Sequence, residues 1–264
     1  MNTIGVVYIC TGRYRMFWEN FISSAERFFL PSYLKRYFVF TDSLNLRDPR
    51  CCVISQKKLG WPYDTLMRFE MISRSKGLLS EMDFLFFVNA NMLFESEVNR
   101  EILPGSSENH LVGVQHPGYY KQTCATFPYE RNPNSAAHIA AGEGETYYQG
   151  CLFGGRSEEF LNLCEVLQRR VQQDLNNGLI ATWHDESHLN RFFVSAAPLT
   201  LNPGYAYPEA VRIPFEKKIV QLDKARFGGH AFLRSVENPA KTNSVGAQTK
   251  NLARALRRLW SSLG

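Results

Sequence analysis

The fold is decided by the stretch Asp83-Phe84-Leu85-Phe86-Phe87-Val88-Asn89-Ala90-Asn91-Met92-Leu93-Phe94, in which five apolar residues lead directly into two amides. An apolar run of this length, rich in aromatic and β-branched residues, predicts a strand that is covered on both faces. Ligands of open α/β sheets bind beyond the carboxyl ends of the strands, and Asn89 and Asn91 point to the same side of an extended chain. The stretch therefore indicates a small polar site at a strand end, with an Asx-type turn as the alternative.

Strands and helices alternate around this stretch. The pattern predicts strands over Ile4–Ile9, Tyr37–Thr41, Cys51–Ile54 and Leu111–Val114, and helices over 17–28, Leu66–Leu79, Ser157–Asn177 and Trp183–Val194. Such alternation is typical of an α/β fold with a mostly parallel, Rossmann-like central sheet flanked by helices. The region Gln115–Gly144 is rich in Pro, Gly, Asn and Tyr, which predicts a binding loop. We expect a single domain over residues 1–235.

Composition excludes several classes of protein. A chain of 264 residues with 44% hydrophobic and 21% charged residues can bury a core without the help of disulfides or metal ions, and it is not disordered throughout. The six cysteines show no C-x-x-C spacing, so we expect reduced thiols and neither a zinc site nor a redox couple. An apolar run of about 18 residues, as a membrane span requires, is absent from the sequence. No basic leader precedes the apolar segment Ile4–Cys10. A cytoplasmic protein is the expectation.

The positive charge is concentrated at the carboxyl end. Residues 236–264 hold five basic residues against one acidic residue, which accounts for most of the net charge of +5. This placement does not indicate a nucleic-acid-binding face. We expect residues 236–247 to form a linker and residues 248–264 a basic amphipathic tail. That tail either contacts the inner face of a membrane peripherally or packs on its own domain.

A second chemically dense segment is Trp183-His184-Asp185-Glu186-Ser187-His188-Leu189-Asn190. Charge this dense is costly to bury unless it has a task. The alternative is a helix start whose carboxylates meet the positive end of the helix dipole. A zinc site is disfavoured, because the metalloprotease pattern requires Glu directly after the first His and Asp185 stands there.

A series of further motifs follows in order along the chain: Tyr37-Phe38-Val39-Phe40-Thr41-Asp42, Met67-Arg68-Phe69-Glu70-Met71-Ile72, His116-Pro117-Gly118-Tyr119, Tyr129-Glu130-Arg131, Glu143-Gly144-Glu145-Thr146-Tyr147-Tyr148 and Phe153-Gly154-Gly155. With these motifs and the segment Trp183–Asn190, the chain from about Ile4 to Arg234 resembles family 6 of the retaining glycosyltransferases, in particular its short bacterial members. This is the family of the histo-blood-group A and B transferases and α-1,3-galactosyltransferase. The resemblance implies a GT-A fold. It also implies transfer of galactose or N-acetylgalactosamine from a UDP-sugar, with retention, in α-1,3 linkage to a galactoside acceptor that carries fucose or lacks it.

The resemblance also places the donor, and one motif departs from the family pattern. The family's Asp-x-Asp, which holds Mn²⁺, is replaced here by Asn89-Ala90-Asn91. Neutral amides are weak ligands for a hard cation, so we expect no metal and no cofactor beyond the UDP-sugar. Arg68 matches an arginine near the donor sugar, and Lys224 and Arg234 match the basic segment that closes over UDP. These side chains must then stabilise the leaving diphosphate, unless Lys224 and Arg234 are solvated surface charges.

The remaining roles follow from the same resemblance. Glu186 matches the catalytic carboxylate, as nucleophile or as stabiliser of the oxocarbenium-like centre. Asp185 orients the donor sugar, while His116 and Trp183, together with Glu186, contact the acceptor. Tyr8, Ile9 and Tyr14 fall where the family holds uracil, although a tyrosine in an opening β-α unit is equally a core residue.

Donor choice in the family depends on the positions that match Gln149, Gly150 and Cys151. Cysteine is bulkier than the glycine or alanine found there in relatives, which favours UDP-galactose over UDP-N-acetylgalactosamine. A different class of function stays open: a sugar-nucleotide or glycan-binding module of the same fold that has lost its chemistry. The intact Trp183, Asp185 and Glu186 favour the enzyme.

Overall fold

A seven-stranded sheet forms the centre of the computed structural model, which describes residues 2–43, 48–105 and 110–235. The strands of the chain are β1 (Thr3–Ile9), β2 (Leu34–Thr41), β3 (Cys51–Ser55), β4 (Phe84–Val88), β5 (Met92–Phe94), β6 (Leu111–Gln115), β7 (Tyr148–Arg156), β8 (Leu199–Leu201), β9 (Tyr207–Pro208) and β10 (Ile219–Gln221). The central sheet has the order β3-β2-β1-β4-β7-β6-β8, and β5, β10 and β9 form a small second sheet. In the central sheet β7 runs antiparallel to both of its neighbours, and the other pairings are parallel. The predicted mostly parallel sheet is therefore confirmed.

Helices flank the sheet as predicted. They are α1 (Trp18–Phe28), α2 (Tyr63–Leu66), α3 (Arg68–Ser73), α4 (Lys76–Leu79), α5 (Ser157–Asn176), α6 (Asp185–Ala196) and α7 (Gly229–Arg234). The single helix predicted over Leu66–Leu79 is wrong. The backbone leaves the helical region at Met67 and Ser75, so the segment forms three short helices. The predicted start of α6 at Trp183 is also early by two residues, because His184 has a positive φ of 52°.

The strand β4 carries the two halves of the hydrophobic core on its two faces. Phe84, Phe86 and Val88 pack in a cluster with β1 and α1, whereas Leu85 and Phe87 pack on the opposite face with α3 and α5. All five residues are buried, as the continuous apolar run predicts. Because both faces are covered, the strand's carboxyl end is where polar groups meet solvent.

The strand β7 was not predicted, because its glycines give a weak strand signal. Gly154 allows β7 to lie close against β4. A Cβ atom at this position would come within 2.5 Å of the Leu85 carbonyl oxygen and within 2.4 Å of the Phe86 ring. β7 in turn carries Gln149, Gly150 and Cys151 to the end of β4.

Other expectations meet the structure in different ways. Residues 116–147 contain no helix or strand, in agreement with the predicted loop. All six cysteines are free thiols. Among the described helices, none combines the length and the apolar character that a membrane crossing needs. The predicted linker over 236–247 and the basic tail over 248–264 lie outside the described residues.

Substitution Gly154→Ala is expected to destabilise the fold by about 1–3 kcal/mol, since the added methyl group overlaps backbone that cannot move aside. Urea unfolding followed by circular dichroism measures the change. Gly77→Ala is the matched control. It adds the same methyl group on α4, where no atom lies within 4 Å, so no loss of stability is expected. Equal stability of the two variants would contradict the tight β4–β7 contact.

Candidate active site

The strand end at Asn89–Asn91 is a turn whose residues also line a pocket. The Met92 N–H donates to the Asn89 carbonyl (3.1 Å), which closes the turn. The Asn91 side chain is 2% exposed and donates from Nδ2 to the Leu222 carbonyl (2.9 Å). The Leu222 N–H returns a bond to the Asn91 carbonyl (2.8 Å). The two alternatives for this stretch, a turn and a polar site, are therefore both present in the same residues. Asn91 also holds the segment around Leu222 against the turn.

The pocket at this strand end draws on distant parts of the chain. Its walls are Ile9, Thr11, Tyr14, Trp61, Asp64, Thr65, Arg68, Phe87, Asn89, Ala90, Asn91, Lys224 and Arg234. Most of the predicted donor residues are thus brought together. The pairing of β10 with β5 places Lys224 beside the turn, and α7 brings Arg234 to the rim.

Two cations at this rim lie on aromatic rings. The Lys224 Nζ is 5.6 Å from the centre of the Tyr14 ring, and the Arg234 guanidinium carbon is 3.4 Å from that of Trp61. Burial, and then the positive charges of Arg234 and Arg68, lower the pKa of Lys224 to about 8. Across the described ranges, neither Lys224 nor Arg234 forms an ion pair with a carboxylate. The rim therefore offers uncompensated positive charge to an anion.

The pocket does not suit a divalent metal ion. The Asn91 Nδ2 is used as a donor to a carbonyl oxygen, so an aspartate at this position would set a carboxylate oxygen against that carbonyl. Asp64, the acid in the pocket wall, accepts the N–H groups of Leu59 and Gly60. Within residues 2–43, 48–105 and 110–235, no group of three or more His, Cys, Asp or Glu side chains is arranged to hold a metal. Hard cations prefer charged oxygen ligands, and the Asn89 and Asn91 amides are neutral, so these two residues fit a divalent ion poorly.

Arg68 connects the pocket with the acidic segment of α6. Its Nη1 donates to the Gly150 carbonyl (2.6 Å) and lies 3.1 Å from Asp185 Oδ2. The guanidinium also stacks on Phe87, with 4.3 Å to the ring centre. Burial raises the pKa of Asp185, and the charge of Arg68 opposes this shift. The pair fixes Asp185 directly behind Arg68, which forms the inner wall of the pocket.

Glu186 is held by two donors on β7 and the residue before it. Its Oε1 accepts the Tyr147 hydroxyl (2.8 Å), and its Oε2 accepts the Gly150 N–H (2.8 Å). Burial raises the pKa of Glu186 to about 7, and these two hydrogen bonds oppose the shift. Asn190, one turn later, donates to the Glu186 carbonyl and to the Tyr148 carbonyl and accepts the Tyr148 N–H. These bonds hold the Glu186 carboxylate in one orientation beside Gly150.

The predicted acceptor residues border Glu186 from the other side. The His116 ring lies 5.6 Å from the Tyr147 ring and accepts the Gly118 N–H through Nδ1 (2.9 Å). Burial lowers its pKa to about 4, so His116 is neutral at pH 7. Trp183 is 49% exposed and precedes the helix that carries Glu186. Both are placed to contact a molecule that approaches Glu186 from solvent.

The predicted donor-selecting residues form their own small network. Gln149 donates from Nε2 to Gln221 Oε1 (3.0 Å), and the Cys151 thiol donates to Gln149 Oε1 (3.4 Å). Cys151 is buried, so its side chain occupies space at the site. Gly150 contacts both Arg68 and Glu186 through its main chain.

For Tyr8 the structure favours the core interpretation. Its ring is fully buried, stacks on Phe21 at 4.2 Å, and donates its hydroxyl to the Ala90 carbonyl (2.9 Å). Tyr8 therefore supports the Asn89–Asn91 turn from behind, whereas Ile9 and Tyr14 line the pocket. Side chains alternate along a strand, which is why neighbours in β1 differ in this way.

Five pocket residues were missed: Thr11, Trp61, Asp64, Thr65 and Phe87. Trp61 precedes α2, and Asp64 and Thr65 lie in this short helix, which the sequence pattern did not separate from the turn before it. The role of Tyr147 was also missed, although Tyr147 was noted as part of a family motif. A buried hydroxyl requires a hydrogen-bond partner. A tyrosine that is buried therefore indicates a polar partner nearby, and for Tyr147 that partner is the Glu186 carboxylate.

The zinc alternative finds no support in the geometry. His184 packs edge-on against Trp61, with 4.6 Å between ring centres. His188 is fully buried on α6 near Asp174, with 3.6 Å between His188 Nε2 and Asp174 Oδ2. The two imidazoles thus have different neighbours.

The mostly parallel sheet with a cationic pocket at a strand end fits a glycosyltransferase of the GT-A type, and comparison with known proteins shows the family. The model of glycosyltransferase family 6 matches residues 1–231, so the chain belongs to that family. It is 36% identical over 228 residues to the O-antigen biosynthesis glycosyltransferase WbnI of Escherichia coli, covering 84% of this chain and 95% of that protein.

Animal relatives are nearly as similar. Identity is 35% to the globoside α-1,3-N-acetylgalactosaminyltransferase 1 of Canis lupus familiaris, over 84% of this chain and 67% of that protein. It is 33% to the histo-blood group ABO system transferase 1 of Rattus norvegicus, over 79% of this chain and 62% of that protein. A nucleotide-sugar donor and a glycan acceptor follow from the family.

Substitution Tyr147→Phe is expected to raise the pKa of Glu186 above its value of about 7, because the carboxylate loses a hydrogen bond that favours its ionised form. Titration of the ¹³C-labelled Glu side-chain carboxyls by NMR measures the shift, with the Glu186 signal assigned from its loss in Glu186→Gln. Tyr119→Phe is the control, since that ring packs on Tyr147 without bonding to Glu186. An unchanged pKa in Tyr147→Phe would contradict the role of the hydroxyl.

Proposed function

We propose that the protein transfers galactose or N-acetylgalactosamine from a UDP-sugar, with retention, in α-1,3 linkage to a galactoside acceptor. The observation that carries the proposal is the placement of Glu186, which two hydrogen bonds fix beside the cationic pocket. The name of the canine relative, an α-1,3-N-acetylgalactosaminyltransferase, supports the linkage. The pocket receives the UDP moiety, and the sugar extends toward Asp185 and Glu186.

Departure of UDP is the step that the cations assist. When the bond between the anomeric carbon and the diphosphate breaks, its electron pair and the developing negative charge leave with UDP. Lys224 and Arg234 are positioned to stabilise this charge, and the low-polarity surroundings strengthen the effect. Asn89 contributes a neutral amide donor at the same place. We propose that these groups do what Mn²⁺ does in relatives with Asp-x-Asp, and that transfer proceeds without a metal ion.

Glu186 acts on the opposite side of the transferred sugar from the departing UDP. Its ionised carboxylate either bonds to the anomeric carbon or stabilises the positive charge that forms there. The acceptor hydroxyl then bonds to that carbon on the face that UDP left, and where a bond to Glu186 had formed, that bond breaks and its electron pair returns to the carboxylate. The hydroxyl proton passes to the released diphosphate oxygen of UDP, which lies on the same face. Asp185, held by Arg68, is placed to accept hydrogen bonds from hydroxyls of the donor sugar.

The side chain at position 151 bears on the choice of donor. Cys151 is buried and donates to Gln149, so a residue bulkier than glycine or alanine stands at the position that the family resemblance links with donor choice. We therefore propose UDP-galactose as the preferred donor.

Turnover is expected to persist in EDTA and to show no dependence on added Mn²⁺, because the positive charge comes from Lys224 and Arg234. Release of UDP, measured with UDP-galactose and a galactoside acceptor in chelator and then in excess Mn²⁺, tests this. Loss of turnover in EDTA that Mn²⁺ restores would overturn metal-independent transfer. Lys224→Gln should lower kcat by about tenfold or more in both conditions. Lys57→Gln, which removes the same charge from an exposed residue outside the pocket lining, should not.

Substitution Glu186→Gln is expected to lower turnover by well over tenfold, which is about 1.4 kcal/mol or more in the activation barrier, while UDP still binds. Acceptor-free hydrolysis of UDP-galactose and UDP-N-acetylgalactosamine and calorimetric titration with UDP measure the two effects. Glu158→Gln, on the exposed first turn of α5, is the control. Binding of UDP by the wild-type protein without transfer or hydrolysis would instead favour the binding module.

A further inference from the structure

A second concave surface lies outside the donor pocket and shares no residue with it. We call it the basic groove and define it by Tyr120, Lys121, Tyr207, Arg212, Phe215 and Lys217. It is open to solvent and has a volume of about 710 Å³, which is within the size range of sites for small ligands. The roles derived above for donor binding and catalysis involve none of its residues.

The walls of the groove are held in place by specific contacts. The Tyr207 hydroxyl accepts the Ile213 N–H (3.1 Å) and donates to the Ile213 carbonyl (3.4 Å), so it closes the loop between them. Phe215 meets Tyr120 edge to face, with 5.0 Å between ring centres. These contacts join the 116–120 segment to the 207–217 segment and make the groove a formed surface.

The charge of the groove is positive and not neutralised by neighbours. Lys121, Arg212 and Lys217 are exposed, and in the part of the chain that the structure describes none of the three forms an ion pair. The nearby acids are used elsewhere: Glu216 pairs with Lys218 at 3.2 Å, and Glu209 pairs with Arg226. Lys217 and Lys121 instead lie over the rings of Tyr207 and Tyr120, at 5.1 Å and 5.4 Å.

The groove continues from the acceptor side of the active site. Tyr119, the neighbour of Tyr120, packs on Tyr147 with 5.0 Å between ring centres, and Tyr147 donates its hydroxyl to Glu186. At its other end the groove segment runs into β10, whose Gln221 bonds to Gln149 at the donor site. The groove is thus linked at both ends to residues that bond or pack around Glu186 and Gln149.

We propose that the basic groove binds the part of the acceptor remote from the reacting sugar, and that this part carries an anionic group, either a phosphate ester or a carboxylate. The inference rests on the proposed function, since it requires a glycan acceptor at Glu186. Aromatic edges and faces provide apolar surface for sugar rings, and the cations provide the charge complement that fixes an anion. Arg212 adds the planar donor fork that suits both anions.

The test compares three synthetic acceptors that share one terminal galactoside and differ at the far end, which is neutral, a phosphate ester or a carboxylate. KM and kcat are measured for the full chain, for the groove variant Arg212→Gln/Lys217→Gln, and for Arg27→Gln/Arg169→Gln. The last variant removes the same charge from exposed positions on α1 and α5. Both substituted pairs lie outside the proposed catalytic machinery, so kcat for the neutral acceptor should not change.

The wild-type KM is expected to be about three- to tenfold lower for an anionic acceptor than for the neutral one. This preference should vanish in the groove variant, persist in the control variant and weaken in high salt. The phosphate and carboxylate compounds identify which anion is bound. Equal KM values for all three acceptors, or a preference that survives in the groove variant, would overturn the inference and leave the proposed function intact. Failure to transfer to any acceptor, the neutral one included, would contradict the proposed function.

Sedimentation with phosphatidylglycerol and phosphatidylcholine vesicles tests whether the basic groove binds an anionic membrane surface and not the acceptor. We expect the wild type and the groove variant to bind phosphatidylglycerol vesicles equally. Loss of this binding in the groove variant, combined with equal KM values for the three acceptors, would assign the groove to anionic lipid and overturn the inference.

Discussion

The ion pair between Arg68 and Asp185 is the interaction on which the site depends. Both side chains are more than nine-tenths buried and lie 3.1 Å apart. Arg68 also reaches Gly150 on β7 and Phe87 on β4, so a single guanidinium joins α3, α6 and the centre of the sheet. Loss of one partner from a buried pair typically costs about 3–5 kcal/mol, because the other charge is left without compensation. The inner end of the pocket is thus organised by the protein itself before any ligand arrives.

The two neighbouring carboxylates and the rim cations divide the pocket into regions of opposite charge. Asp185 is neutralised by Arg68, whereas Glu186 is held only by uncharged donors and has a raised pKa of about 7. Lys224, for its part, has a lowered pKa of about 8. These opposite shifts have the same cause, which is burial of a charge without a counter-ion. An anion at the rim would favour the charged form of Lys224 and raise its pKa.

An element of the structure can be predicted from the sequence when the interactions that form it involve residues close together in the chain. β4 is predictable because its five apolar residues are a local pattern that both faces of the core require. β7 is not, since Gly154 fits a strand only because of its contact with Leu85 and Phe86, far away in the sequence. Lys224 reaches the pocket through a three-residue pairing of β10 with β5 that no local pattern marks. For the candidate site, the family motifs identified residues that are distant in sequence and close in space. The motifs do not show that Tyr8 faces the core.

The bidentate link from Asn190 to the main chain of Tyr148 has a bearing on how this fold diversifies. The Asn190 side-chain amide accepts the Tyr148 N–H and donates to the Tyr148 carbonyl, as a residue of a neighbouring strand would. These two bonds fix the orientation of α6 relative to β7. Residues 116–146 are attached to the helices separately, since Glu130 accepts the Thr182 N–H ahead of α6 and Asp174 on α5 accepts the Ala136 N–H. The surface beside Glu186 and the carboxylate itself thus rest on two different sets of hydrogen bonds. A change in the one can alter the shape of that surface without turning the carboxylate.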